Sequence, residues 1–132
     1  RGIDRVCLDS RALFAARPDD GATREAQARK PRLPVHPLAL GQRPLVRYIG
    51  HPGLDDNQRC LEQWADKLDQ WLREGRRPVF FVHTPDNRLA PELAARFHNL
   101  LLTRLPALPR LAPWPGRNKP VEQQGFDFQS TR

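Results

Sequence analysis

Two short runs, LVRYIG (Leu45–Gly50) and VFFVHT (Val79–Thr84), carry apolar side chains on both of their faces, and one helical pattern fills the interval between them. A strand apolar on both sides belongs in a parallel sheet covered on both sides, because an antiparallel sheet with one wet face reads as an alternation. Parallel neighbours need a crossover, and a helix is the usual one. The helical pattern runs through Cys60, Leu61, Trp64, Leu68, Trp71 and Leu72 at three- and four-residue spacing, with Asp55 or Asp56 as the expected cap and Gly75 and Pro78 as the stop. Trp64 and Trp71 share that stripe and read as core.

The pattern extends on both sides. RVCLD (Arg5–Asp9) is a third β-rich run, and SRALFAAR after it leaves room for one helical turn before Pro18. A second helix is expected with Pro91 in its first turn, passing through Leu93, Ala94, Phe97, Leu100 and Leu101 and stopping before Pro106. The resulting class is α/β, with three parallel strands and two main helices. Three strands leave two free edges and too little sheet to cover two amphipathic helices, so a wider sheet or a barrel is expected to complete them.

Residues 17–44 break the pattern with five prolines, and their six basic residues against three acidic ones make the segment a long basic loop. Within it ATREAQARK has the makings of a brief helix, while KPRLPVHP is extended, since each proline drives its predecessor out of the helical region. Beyond Pro106 the chain is expected to be largely extended, anchored by Trp114 and by Phe126 or Phe128, with 116–132 as a flexible polar tail.

The net charge of +7 raises the question of nucleic acid. Residues 51–100 hold seven basic and eight acidic groups, so the excess lies outside the best-patterned part of the chain and does not line one helix face. A non-catalytic nucleic-acid-binding protein working through its basic loop and tail is thus one alternative reading, and an interaction protein completed by a partner chain is the other. Cys7 and Cys60 have no partner at metal or disulfide spacing and read as small apolar residues. The chain has no apolar stretch of about 20 residues and no signal-peptide order, which leads to the expectation of a cytoplasmic protein without membrane contact. Arg1 in place of an initiator Met, in a chain with no Met, leads to the expectation that an N-terminal part is missing.

In parallel α/β sheets ligands bind beyond the carboxyl ends of the strands. Those ends offer Asp9, Ser10 and Arg11, then Arg47, Gly50 and His51, then His83, Thr84, Asp86 and Asn87. Arg47 sits in mid-strand, where a guanidinium needs either a carboxylate such as Asp9 or an anionic ligand. His83 has the proton affinity for acid–base work at neutral pH, and equally suits a structural role at the Thr84-Pro85 turn. His51 reads as a loop residue, and His36 and His98 as background. Asp9, His83 and Asp86 contain metal-ligating groups, but no two of them share one element at ligand spacing, so no metal is assigned and no cofactor is fixed.

RVCLDSRALFAARP, REAQARKPRLPVHP, PLVRYIGHP and FFVHTPDNRLAPELAARF, in this order, closely resemble the C-terminal half of the YecE-like proteins, bacterial domain-of-unknown-function family 72. The resemblance covers about residues 1–115. It implies the C-terminal portion of a TIM-type barrel of about twice this length, incomplete on its own, whose last three strands are those drawn above. The family's penultimate strand often ends R-x-H-G and its last strand F-N-N, where this chain has Arg47-Tyr48-Ile49-Gly50 and Val82-His83-Thr84. The family has no established activity. The combined expectation is a mouth for an anionic or phosphorylated ligand, with Arg47, Gly50, Thr84, Asp86 and Arg11 binding and His83 or Asp9 moving a proton. The chain alone is expected to be inactive until its missing half or a partner chain completes that mouth.

Overall fold

A computed structural model describes residues 5–112 of the chain. Three parallel strands, β1 (Val6–Asp9), β2 (Leu45–Ile49) and β3 (Val79–His83), lie side by side in chain order. Val6 pairs with Leu45 and Leu45 with Val79, and the register continues in step to Asp9 beside Tyr48 and Ile49 beside His83. Because side chains alternate along a strand, this register sorts the sheet into two faces.

One face carries Cys7, Asp9, Val46, Tyr48, Phe80 and Val82 and is covered by α3 (Gln58–Arg73) and α4 (Ala90–Arg104). Leu61, Trp64, Ala65, Leu68 and Trp71 form the buried stripe of α3, and Leu93, Ala95, Phe97 and Leu101 that of α4. Phe80 is the hub, with its ring centroid 4.3 Å from that of Phe97 and 5.7 Å from that of Trp64. Offset and edge-on aromatic pairs of this kind add to the gain from burial alone. Gly75 ends α3 with a left-handed φ of 83°, while Arg76 N–H reaches back to the Trp71 carbonyl, so a residue with a Cβ is disfavoured there.

The start of α3 departs from expectation. Neither Asp55 nor Asp56 caps it: a 3-10 turn (Leu54–Asn57) leads in, Asp55 pairs with Arg96 at 2.7 Å, and Asp56 lies 3.5 Å from His51. The terminus is organised instead by Asn57, whose side chain is fully buried.

Residues 17–44 are also more ordered than their composition implies. Besides the short α1 (Arg11–Ala15) they contribute α2 (Gly21–Arg29), capped by Asp20, which accepts from Thr23 N at 2.7 Å and from Thr23 Oγ1 at 3.0 Å. These bonds hold the Asp20 carboxyl below its ordinary range. Only Thr23 and Ala26 of α2 are buried, so the helix lacks the apolar stripe by which such elements are recognised. Residues 31–40 then run without regular secondary structure and are pinned by Ser10 Oγ donating to the Pro31 carbonyl at 2.9 Å and by the Cys7 thiol donating to the carbonyls of His36 and Leu38. Val35 and Ala39 of this strap pack on the main core.

The second face of the sheet carries Val6, Leu8, Leu45, Arg47, Ile49, Val79, Phe81 and His83. Among the described residues it is covered only at its C-terminal end, where Leu13 of α1 and Ala26 of α2 enclose Ile49. Elsewhere it is open, with Val6 55% and Phe81 49% exposed. The two-sided cover expected of the strands is therefore present on one side only. Among the described residues no helix is long and apolar enough to cross a membrane. Trp114, Phe126, Phe128 and the 116–132 tail lie outside the described residues.

Candidate functional site

The two faces also divide the candidate site. His83 ends β3 on the open face, level with Ile49 and one step diagonally from Arg47, whose direct partner is Phe81. Beyond it the chain turns back through Thr84-Pro85-Asp86-Asn87, closed by Asn87 N–H to the Thr84 carbonyl at 3.0 Å and Thr84 N–H to Asn87 Oδ1 at 3.2 Å. Asn87 holds a φ of 60°, a conformation that asparagine tolerates better than other residues with a side chain. The end of α2 stands opposite.

Between them lies a cleft of about 250 Å³. Its polar wall is His83, Thr84, Asp86 and Asn87, facing Arg29 and Lys30, and Ala22, Ala26 and Ile49 form its apolar side. Arg29 is paired with Glu25, and Asp86 approaches Arg88 at 3.6 Å. Lys30 and Arg47 have no carboxylate partner among the described residues. Burial pushes the His83 imidazole below its usual proton affinity, and the positive charges of Arg47 and Lys30 push it further, against a weaker opposing hydrogen bond with Asn87. The ring is therefore neutral at pH 7. Thr84 is 4% exposed, and its hydroxyl has no hydrogen-bond partner.

Asp9 is elsewhere. Level with Tyr48, it faces α3, and its carboxylate is fully buried. It accepts from Arg11 N at 3.0 Å, Arg11 Nε at 3.0 Å, Arg11 Nη2 at 2.9 Å and Trp64 Nε1 at 2.6 Å. The hydrogen bond and charge of Asp9 raise the affinity of the Arg11 guanidinium for its proton, against the effect of burial. The expected Arg47–Asp9 pair is not formed, because the two side chains leave opposite faces of the sheet. Asp9 and Arg11 thus form a unit of their own with Trp64, apart from Arg47, His83, Thr84 and Asp86.

Gly50 does not line the cleft. It joins the strand ends by donating to the His83 carbonyl at 2.7 Å, and a Cβ there would lie 2.8 Å from Leu93 Cδ2 and 2.9 Å from Asn57 Oδ1. Close packing explains its identity. Two residues went unread in the sequence as contributors to this region. Lys30 is delivered by the Asp20-capped helix, and the Lys-Pro pair that ends it was the available signal. Asn57 Oδ1 accepts from Tyr48 Oη and His51 N–H, both at 2.8 Å, while Nδ2 donates to the carbonyls of His51, Gly53 and Leu54. No sequence pattern marks it, since the bonds follow from the fold of the 51–57 loop. His51 is tied into that loop, its Nδ1 accepting from Gly53 N–H at 2.9 Å.

Burial raises both the Tyr48 phenol and the half-buried Cys60 thiol, which keeps the thiol protonated and unreactive at neutral pH. Among the described residues no three His, Cys, Asp or Glu side chains are grouped to hold a metal ion.

A family model described as "Protein of unknown function DUF72" matches residues 1–118. The chain belongs to this family. Two curated relatives of the DUF72 chain both bear the name UPF0759 protein YecE. The one from Escherichia coli strain K12 is 42% identical over 108 residues, covering 82% of the chain and 39% of the relative. The one from Escherichia coli O157:H7 is 41% identical over the same span and shares. The chain thus spans about two fifths of the length of these relatives. No solved structure matches it.

Proposed function

We propose that this DUF72 chain contributes to an anion-binding mouth at the carboxyl ends of β2 and β3, with His83 positioned to move a proton beside the bound molecule. The observation that carries the reading is Lys30, a cation in the cleft wall with no carboxylate partner among the described residues, beside an imidazole held neutral by burial and by the charges of Arg47 and Lys30, in a cleft whose other charges are already paired. A guanidinium and an ammonium left unpaired and partly desolvated favour an anion with hydrogen-bond acceptors, such as phosphate or carboxylate. Thr84 Oγ1, Asn87 and the imidazole supply further polar contacts. Titration of the chain with inorganic phosphate, followed by calorimetry, is expected to give saturable binding that Arg47→Ala and Lys30→Ala each weaken about tenfold, roughly one charge-assisted hydrogen bond. Unchanged binding in both variants refutes the reading.

A second reading is favoured by the open face of the sheet. Val6, Val79 and Phe81 present apolar surface beside the outer edges of β1 and β3, which pair with no further strand among the described residues, and a parallel sheet is covered on both faces in α/β proteins. This supports closure of the strands into a TIM-type barrel by further strand–helix units, either from the remaining length that the relatives have or from a partner chain. The readings are compatible, since closure would complete the mouth around His83. Under closure, the separately expressed remainder of the K12 relative co-elutes with this chain, and Phe81→Lys abolishes the association. Independent elution refutes it.

A further inference from the structure

The cleft holds its ligand-facing imidazole in an unusual balance. The charge of Arg47 acts on His83 from the neighbouring strand β2, Lys30 and the Arg29–Glu25 pair line the cleft from α2, and Asp86 with Asn87 lines it from the turn. The Arg29–Glu25 and Asp86–Arg88 pairs are internally neutral, which leaves the fields of Lys30 and Arg47 unopposed. A protonated imidazole would add a third positive charge to two that have no carboxylate partner among the described residues, so burial and the two cations keep the ring neutral. A dianion carries two negative charges and would offset both cations at once. Its oxygens would also give the imidazole N–H groups an acceptor and the orphaned Thr84 hydroxyl a partner.

We propose that the cleft takes up a tetrahedral dianion, of the phosphate monoester or sulfate type, together with one proton that settles on His83. The inference rests on the anion-binding reading above and adds the charge state of the ligand and the dependence on acidity. A monoanion would leave one of the two cations uncompensated and would drive less proton uptake. Each pH unit above the proton affinity of the free ring then costs up to about tenfold in affinity, the limit for one linked proton. The same linkage means that a phosphate ester bound here meets an imidazolium, the form that can donate a proton to a leaving oxygen.

Sulfate separates the protein's proton from the ligand's, since a phosphate ester itself titrates near about pH 6 and sulfate stays fully ionised. Sodium sulfate is titrated into the full chain by calorimetry at about pH 6, 7 and 8, at fixed ionic strength, in two buffers of different ionisation enthalpy. Expected are an affinity at least about fivefold higher at the acidic end, within the one-proton limit, and buffer-dependent heats that report proton uptake. The imidazole resonances of His83 should titrate at higher pH with sulfate than without, a readout that needs no variant. His83→Gln, checked for folding by circular dichroism, should bind sulfate with an affinity that varies less than about twofold over the range. Sulfate binding with no pH dependence and no proton uptake overturns this inference and leaves the anion site standing. Absence of binding at every pH, with sulfate and phosphate alike, overturns both.

Discussion

Asn57 offers the sharpest test of the packing behind the strand ends. Its side chain is fully buried, with Oδ1 accepting two hydrogen bonds and the two Nδ2 hydrogens shared among three carbonyls. Asn57→Asp keeps the shape and both accepted bonds but turns the Nδ2 position into an oxygen that faces the carbonyls of His51, Gly53 and Leu54. Each lost bond is worth about 1 kcal/mol, and leaving a buried group unpaired costs about 1–3 kcal/mol. The three carbonyls sit at a partly wet loop, so the total comes to about 3–5 kcal/mol at neutral pH, a large part of a small domain's stability. Protonation relieves the penalty, because a neutral carboxyl donates once toward those carbonyls. The carboxyl introduced at position 57 therefore has its folded proton affinity raised above the unfolded value near about pH 3.9. Its favourable contribution is complete below that value and is lost as pH rises through the folded one. Urea unfolding, read by tryptophan fluorescence and far-UV circular dichroism, should show the gap between variant and parent narrowing from about pH 7.5 to about pH 4.5. A gap under about 1 kcal/mol at neutral pH, or one that pH does not change, refutes the assignment.

Other substitutions address neighbouring features. Gly50→Ala inserts a methyl group 2.8 Å from Leu93 Cδ2, 2.9 Å from Asn57 Oδ1 and 3.2 Å from the His83 carbonyl, and overpacking of this kind should lower the unfolding free energy from urea titration by about 1–3 kcal/mol. Asp9→Ala leaves the buried Trp64 indole N–H unpaired and frees a guanidinium that is 41% exposed and recovers some hydration, so the expected loss is about 2–4 kcal/mol with a changed Trp64 emission. The proton affinity of His83 is depressed on folding, so the unfolded chain takes up its proton first as the solution is acidified. Its contribution is therefore complete above about pH 6.5 and is lost as pH falls through that value toward the folded one. His83→Gln should remove this part of the acid sensitivity, and an identical pH profile of the urea midpoint in the variant would refute it.

The β2–α3–β3 unit was legible because its signals are local. Two doubly apolar runs and a three-and-four stripe ending at Gly75 dictate a parallel pair with a helical crossover, and Pro91 and Pro106 bracket α4 in the same way. Helix α2 was harder to read because its buried residues are Thr23 and Ala26, too small to mark an amphipathic face. The partner of Arg47 was misread because strand alternation was applied within β2 but not across to β1. The register sets Leu8, not Asp9, beside Arg47, and Asp9 beside Tyr48 on the far face. Lys30 reaches the cleft through tertiary packing of a helix whose orientation no spacing rule encodes.

The alternation along β2 and β3 has a consequence for how such a sheet can change. Val46, Tyr48, Phe80 and Val82 point into the aromatic core, while Arg47, Phe81 and His83, one position away, point out of it. Under the anion-binding proposal, variation at Arg47 and His83 alters which molecule is recognised without disturbing the residues that keep the sheet folded. A combinatorial library at positions 47 and 83 would thus explore new specificities on a constant framework, whereas the same diversity moved one residue along either strand would be spent on rescuing stability.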